Sequence, residues 1–186
     1  MKHLSSLMAA LLLISSASFG QNLKFGHIDI EYLVALMPDR DSAQVKLNIF
    51  AQTLEQTLLD IQTEFRTKYD AFQRQQATWT AAVLETKQRE LTEIDGRLSQ
   101  YQQSAQEDYQ QMYNALFAPV YQKAQATVDQ IGKSKGLVYI FNTSTRPLLY
   151  IDAALSEDIL PAARVALGIP ADKVPVQLQP ETVAQP

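Results

Sequence analysis

The residues able to carry reaction chemistry are few and scattered. Cysteine is absent, which removes thiolate nucleophiles, disulfides and the acceptor for a lipid anchor. Apart from His3, the only histidine is His27. A lone imidazole with neither a second ligand nor a catalytic partner reads as a surface or half-buried strand residue. The densest carboxylates, Glu90, Glu93 and Asp95, are mixed with Arg89 and Arg97. That mixture is the pattern of a solvated helical face laced with ion pairs. No GxSxG, glycine-rich phosphate loop or HExxH occurs, so nucleophilic, phosphate-binding and zinc-protease chemistries have no motif to rest on. The reading is a chain that is not an enzyme, with no cofactor, no metal and no catalytic residue. Sixteen Lys and Arg against twenty Asp and Glu give a net charge of −4. Nucleic acid is therefore not the expected partner, since phosphate binding needs a basic face.

What must position the remaining side chains is one long stretch, Asp39 to Lys135. Its apolar residues recur every three or four. Leu47, Phe50, Leu54, Leu58, Ile61, Phe65, Tyr69 and Phe72 form one series. Leu91, Ile94, Leu98, Tyr101, Ala105, Tyr109, Met112, Leu116 and Val120 form a second. Period two is absent, so the template is helical, and it is sustained too long for an ordinary globular helix. Steps of 3, 4 and 4 sum to an eleven-residue repeat, which favours straight or slightly right-handed winding over a left-handed coil. The stripe fades in Gln73–Thr80 (QRQQATWT), where Thr78 or Thr80 is placed to cap a second helix. A turn near residues 76–80 leaves two nearly equal helices, each roughly 57–60 Å long, matched as an antiparallel hairpin. Pro119, level with the base, removes one helical hydrogen bond and predicts a kink.

The ends carry their own signals. Lys2 and His3, the apolar run Leu7–Ile14 (LMAALLLI) and the small residues up to Gly20 read as an export signal cleaved near Gly20. The run is too short to span a bilayer, and the mature chain is expected to lack an integral membrane segment. Leu23–Ile30 (LKFGHIDI) reads as a strand. Asp29 is placed to cap a short helix, Ile30–Leu36. Pro38, Asp39 and Asp41 form a helix start, and Lys133, Lys135 and Gly136 a helix stop. Leu137–Phe141 and Pro147–Ile151 read as a β-hairpin across a five-residue turn, making a three-stranded sheet with the first strand. Ser156–Leu167 reads as a last helix capped by Ser156, weakened by Pro161 and stopped by Gly168. The whole is mainly α with a small β head. A signal (1–20) precedes the head (21–39 and 119–168), which carries a helical-hairpin arm (40–118) and a loose proline-containing tail (169–186). A head this small is expected to need a neighbour.

Leu116–Phe141 (LFAPVYQKAQATVDQIGKSKGLVYIF) and the opening Lys24–Pro38 (KFGHIDIEYLVALMP) resemble the Skp/OmpH group of periplasmic chaperones, and Asn142–Asp152 (NTSTRPLLYID) resembles members from Bacteroidetes-like bacteria. The resemblance spans roughly residues 23–168. It implies a homotrimer with a β-sheet trimerisation head and helical arms enclosing a cavity. It also implies a periplasmic location and ATP-independent holding of unfolded outer-membrane proteins. The acidic charge departs from the strongly basic members of that group.

On this reading the trimer interface falls on Phe25, Ile28, Leu137, Tyr139 and Phe141. The candidate client-binding residues are Tyr69, Phe72 and Trp79. Phe72 alternatively belongs to the hairpin core, and Trp79 alternatively closes the turn. Tyr113, Phe117 and Tyr121, off the stripe and one turn apart, read as core against the head. The rival function is an envelope scaffold coiled coil that binds one fixed partner.

Overall fold

A computed structural model describes residues 23–145 and 148–176. The expected export signal, residues 1–20, and the last ten residues lie outside them. Strand β1 (Lys24–Ile28) leads into helix α1 (Ile30–Leu36), the long α2 (Pro38–Gln75), a 3₁₀ turn (Gln76–Thr78) and the longer α3 (Ala81–Lys135). Then follow β2 (Leu137–Asn142), β3 (Ser156–Asp158) and α4 (Leu160–Ala166). No helix of the described residues is long and apolar enough to cross a membrane.

Local chemistry sets most of these boundaries. Asp29 accepts a hydrogen bond from the Tyr32 amide at 2.9 Å and starts α1. Pro38 opens α2, with Asp39 and Asp41 in its first turn, where negative charge faces the unpaired amides. Thr80 caps α3 through the Val83 amide. Gly136 ends α3 in the left-handed conformation (φ 65°), its amide donating to the carbonyls of Gly132 and Lys133, with Lys133 and Lys135 in the last turn. The helix runs through Pro119 as one element of 55 residues.

Helices α2 and α3 lie antiparallel. Asp39 pairs with Lys123 at the base, Glu64 with Arg97 further out and Lys68 with Glu90 near the tip, while the Tyr101 hydroxyl donates to the Leu54 carbonyl at 3.1 Å. The arm is thin. Between Leu47 and Phe117, Ile94 alone is buried. Towards the base α3 changes the face it buries. Phe117, Val120, Ala124, Val128 and Ile131 pack into one core with Ile28, Leu33, Leu36, Met37 and Ile159. This second stripe is turned about 100° from the one that meets α2, so one helix serves arm and head with different faces.

The sheet departs from expectation. Its order is β2-β1-β3, and both pairs are parallel. Among the described residues, the expected hairpin of Leu137–Phe141 with Pro147–Ile151 is not formed: residues 148–151 are not strand. Parallel strands need a crossover, and here the whole arm is the crossover from β1 to β2. The chain turns at Asp152, whose carbonyl accepts from the amides of Leu155 and Ser156, and returns beside β1. Ile159, fully buried, fixes that return. Ser156–Asp158 is consequently strand, not the first turn of the last helix. That helix starts at Leu160, where Pro161 falls in the first turn and no amide is missed. Nor does the chain loosen at residue 169: Ile169 joins the core at 5% exposure.

Candidate interaction site

The pleat of the sheet separates two sets of side chains. Phe25 pairs with Tyr139 and His27 with Phe141, while the register slips between Lys24 and Phe25. That bulge puts Val138 out of the alternation. Leu137 and Ile140 consequently turn towards the core, and Tyr139 and Phe141 turn away from it. A Cβ added to Gly26 would meet Leu137 Cδ1 at 2.8 Å, and one added to Gly132 would meet Ile140 Cδ1 at 2.9 Å. The two glycines therefore form the slot that Leu137 and Ile140 fill.

On the outer face Phe25 stacks with Tyr139 (centroids 6.3 Å, interplanar angle 3°), and Phe141 lies tilted 6.3 Å from each. Tyr139 is 62% exposed. The returning chain adds Leu148, Tyr150 and Leu155, which with Phe25 and Phe141 line an apolar cleft of about 260 Å³; Leu149, beside them, is fully exposed. His27 shares this face and hydrogen-bonds through Nδ1 to Ser156 Oγ at 2.9 Å, a tie between β1 and β3. Among the described residues, no group of His, Asp and Glu is arranged to hold a metal.

Of the five residues expected at a subunit interface, three share this face: Phe25, Tyr139 and Phe141. Two do not. Ile28 is a core residue at 2% exposure, because strand alternation puts it opposite Phe25 and His27. Leu137 is turned inward by the bulge. Leu148 and Tyr150 of the patch were missed as surface because Pro147–Ile151 reads as a strand, and Leu155 carried no signal.

At the arm tip Trp79 meets Phe72 edge-on at 5.6 Å and closes the turn. Tyr69 stacks on Phe65 at 6.0 Å and remains 45% exposed. The three client candidates are thus divided: Tyr69 is open, while Phe72 and Trp79 engage each other. Hydrogen bonds from Lys87 and Lys68 hold the Glu90 carboxyl below the usual carboxylate range, as expected of an ion-paired helical face. Near the base, Tyr113 stacks on Phe117 at 4.5 Å, and Tyr121 donates to Glu31 Oε2 at 2.7 Å. The apolar residues most open on the arm are others, Val45 and Ile49 at 59% and Leu59 at 47%. They lie on the side of α2 away from α3, about half a turn from the stripe. Counting that single stripe passed over them.

The outer membrane protein (OmpH-like) family matches residues 24–162, three-quarters of the sequence. The chain belongs to the OmpH-like family. A solved structure from Caulobacter crescentus, described as an outer membrane chaperone (OmpH-like), superposes on this OmpH-like chain with a TM-score of 0.67. The match covers 84% of this chain and 94% of that one at 15% identity, a likeness of fold. Among curated proteins no relative matches.

Proposed function

We propose that this OmpH-like protein is an ATP-independent periplasmic holdase. Its mature form, freed of residues 1–20, assembles as a homotrimer through the outer face of the sheet, and the arms enclose unfolded outer-membrane proteins. The observation that carries the proposal is the thin arm: a two-helix hairpin that buries only Ile94 between Leu47 and Phe117. Such an arm presents far more surface than it packs. That surface is rich in Gln and Thr, with Val45, Ile49, Leu59, Tyr69 and Tyr109 exposed upon it. Unfolded barrel strands alternate apolar and polar residues, and a mixed surface of this kind meets them without demanding one sequence. Each contact is weak. Several tethered arms raise one another's effective concentration, so retention needs no nucleotide.

The test is turbidity after dilution of a urea-unfolded outer-membrane barrel protein, with and without equimolar trimer and without nucleotide. Suppression is expected with the intact protein and its loss when residues 60–91 are deleted. Equal aggregation with the intact and arm-deleted forms would reject the holdase and favour a scaffold that binds one folded partner.

A further inference from the structure

The segment after α4 is built onto the root of the arm. The chain turns at Gly168 (φ 66°) and seats Ile169 in the core. Arg164 then donates from Nη2 to the carbonyls of both Pro170 and Lys173, the second at 3.0 Å. Two carbonyls bound to one guanidinium nitrogen are held at a fixed spacing, which sets the path of the backbone between them. Lys173 in turn reaches Asp41 Oδ2 at 2.6 Å, with side chains only 21% and 29% exposed. Asp41 belongs to the first turn of α2. Asp39, two residues earlier and so about 200° round the helix, takes Lys123 of α3 at 2.9 Å. The first turn of α2 is thus gripped from two sides, by α3 and by the C-terminal segment. No side chain caps α2 at this end; Ala43 and Leu47 seat its root in the core, and these grips tie its first turn. The family match ends at residue 162, before Arg164, Ile169 and Lys173.

We propose that residues 168–173 form a latch that locks the root of α2 to the head. Seated, the latch holds the first turns of the arm against α4. Released, it lets that root open locally while the core along α3 stays closed, so the firmness with which the arm is planted is set by the chain's own C-terminal segment.

Amide hydrogen exchange on the full-length mature protein tests this, because exchange reports local opening segment by segment. Two variants break the latch: Lys173→Met, which keeps the aliphatic stem, and a chain ended after Pro170, which keeps Ile169. Exchange across residues 41–47 is expected to quicken on the order of tenfold in both, while residues 117–131 keep their protection. Lys173→Arg is expected to restore the original rate. Unchanged exchange at residues 41–47 would overturn the latch. So would an equal loss at residues 117–131, which would mark a general stabilising contact. No client enters the measurement, so its outcome stands apart from that of the holdase test.

Discussion

Tyr121 and Glu31 tie α3 to α1 beside the root of the arm, through a hydroxyl donated to a carboxylate at 2.7 Å. That hydrogen bond, with partial burial and the Glu31 charge, pushes the phenol up to about 12. The consequence for stability has a definite sign. The folded-state value lies above the ordinary one of about 10, so the contribution is complete below pH ~10 and is lost as the pH rises to about 12. Tyr121→Phe is expected to lower unfolding free energy by about 1 kcal/mol at pH 8, a modest amount because the pair is solvent-accessible. Urea titrations of both proteins should show a constant difference up to pH ~10, narrowing as the pH rises from there to about 12. A difference that stays constant across that window would mean the tie is packing, not a hydrogen bond. Sequence alone placed Tyr113, Phe117 and Tyr121 against the head, since they fall off the arm stripe at one-turn spacing. The partner Glu31 was not legible, because it lies ninety residues away and no local pattern relates the two.

The arm and the head are separable by what each buries. Among the described residues the shared core draws on residues 28–47 and 117–169, so the outer arm contributes nothing to it. Removing residues 60–91 and joining the ends by a short glycine-containing turn is expected to leave a folded head with its cooperative thermal transition. Loss of that transition in circular dichroism would place the arm inside the folding unit. The long helices were legible because a period of three and four persists through both, and because Thr80, Pro38 and Gly136 mark their ends. The sheet was legible only in part. Both LVYIF and PLLYI have strand composition, but composition does not say which edge a strand joins. The return to β1 is decided by Ile159 reaching the core, and the facing of Leu137 by a bulge. Both are tertiary facts with no local signature. Gly26 and Gly132 make the slot that Leu137 and Ile140 occupy, a fit that no local pattern announces.

Among the described residues, no helix covers the outer face of the sheet. The helices pack beneath β1 and β2, while Phe25, Tyr139, Phe141, Leu148, Tyr150 and Leu155 gather on the other side. An apolar face of this kind marks an interaction surface, and in a closed ring each copy repeats the same contact. The proposed trimer therefore predicts different outcomes for two neighbouring substitutions. Tyr139→Asp puts a charge on the outer face, where a buried aromatic would contribute about 2–3 kcal/mol per contact. With the contact repeated around the ring, the assembly is expected to fall to single subunits whose helical circular dichroism is retained. Leu137→Asp, two residues away, puts the charge beside Gly26 on the core side, where no partner waits for it. It is expected to unfold the head and lose helicity together with assembly. Light scattering coupled to size exclusion at micromolar concentration, followed by circular dichroism on the same fractions, separates the two. A single-subunit mass for the unaltered mature protein, with full helicity, would dispose of the trimer. An intact assembly carrying Tyr139→Asp would instead move the interface off the aromatic face and onto the free edge of β2.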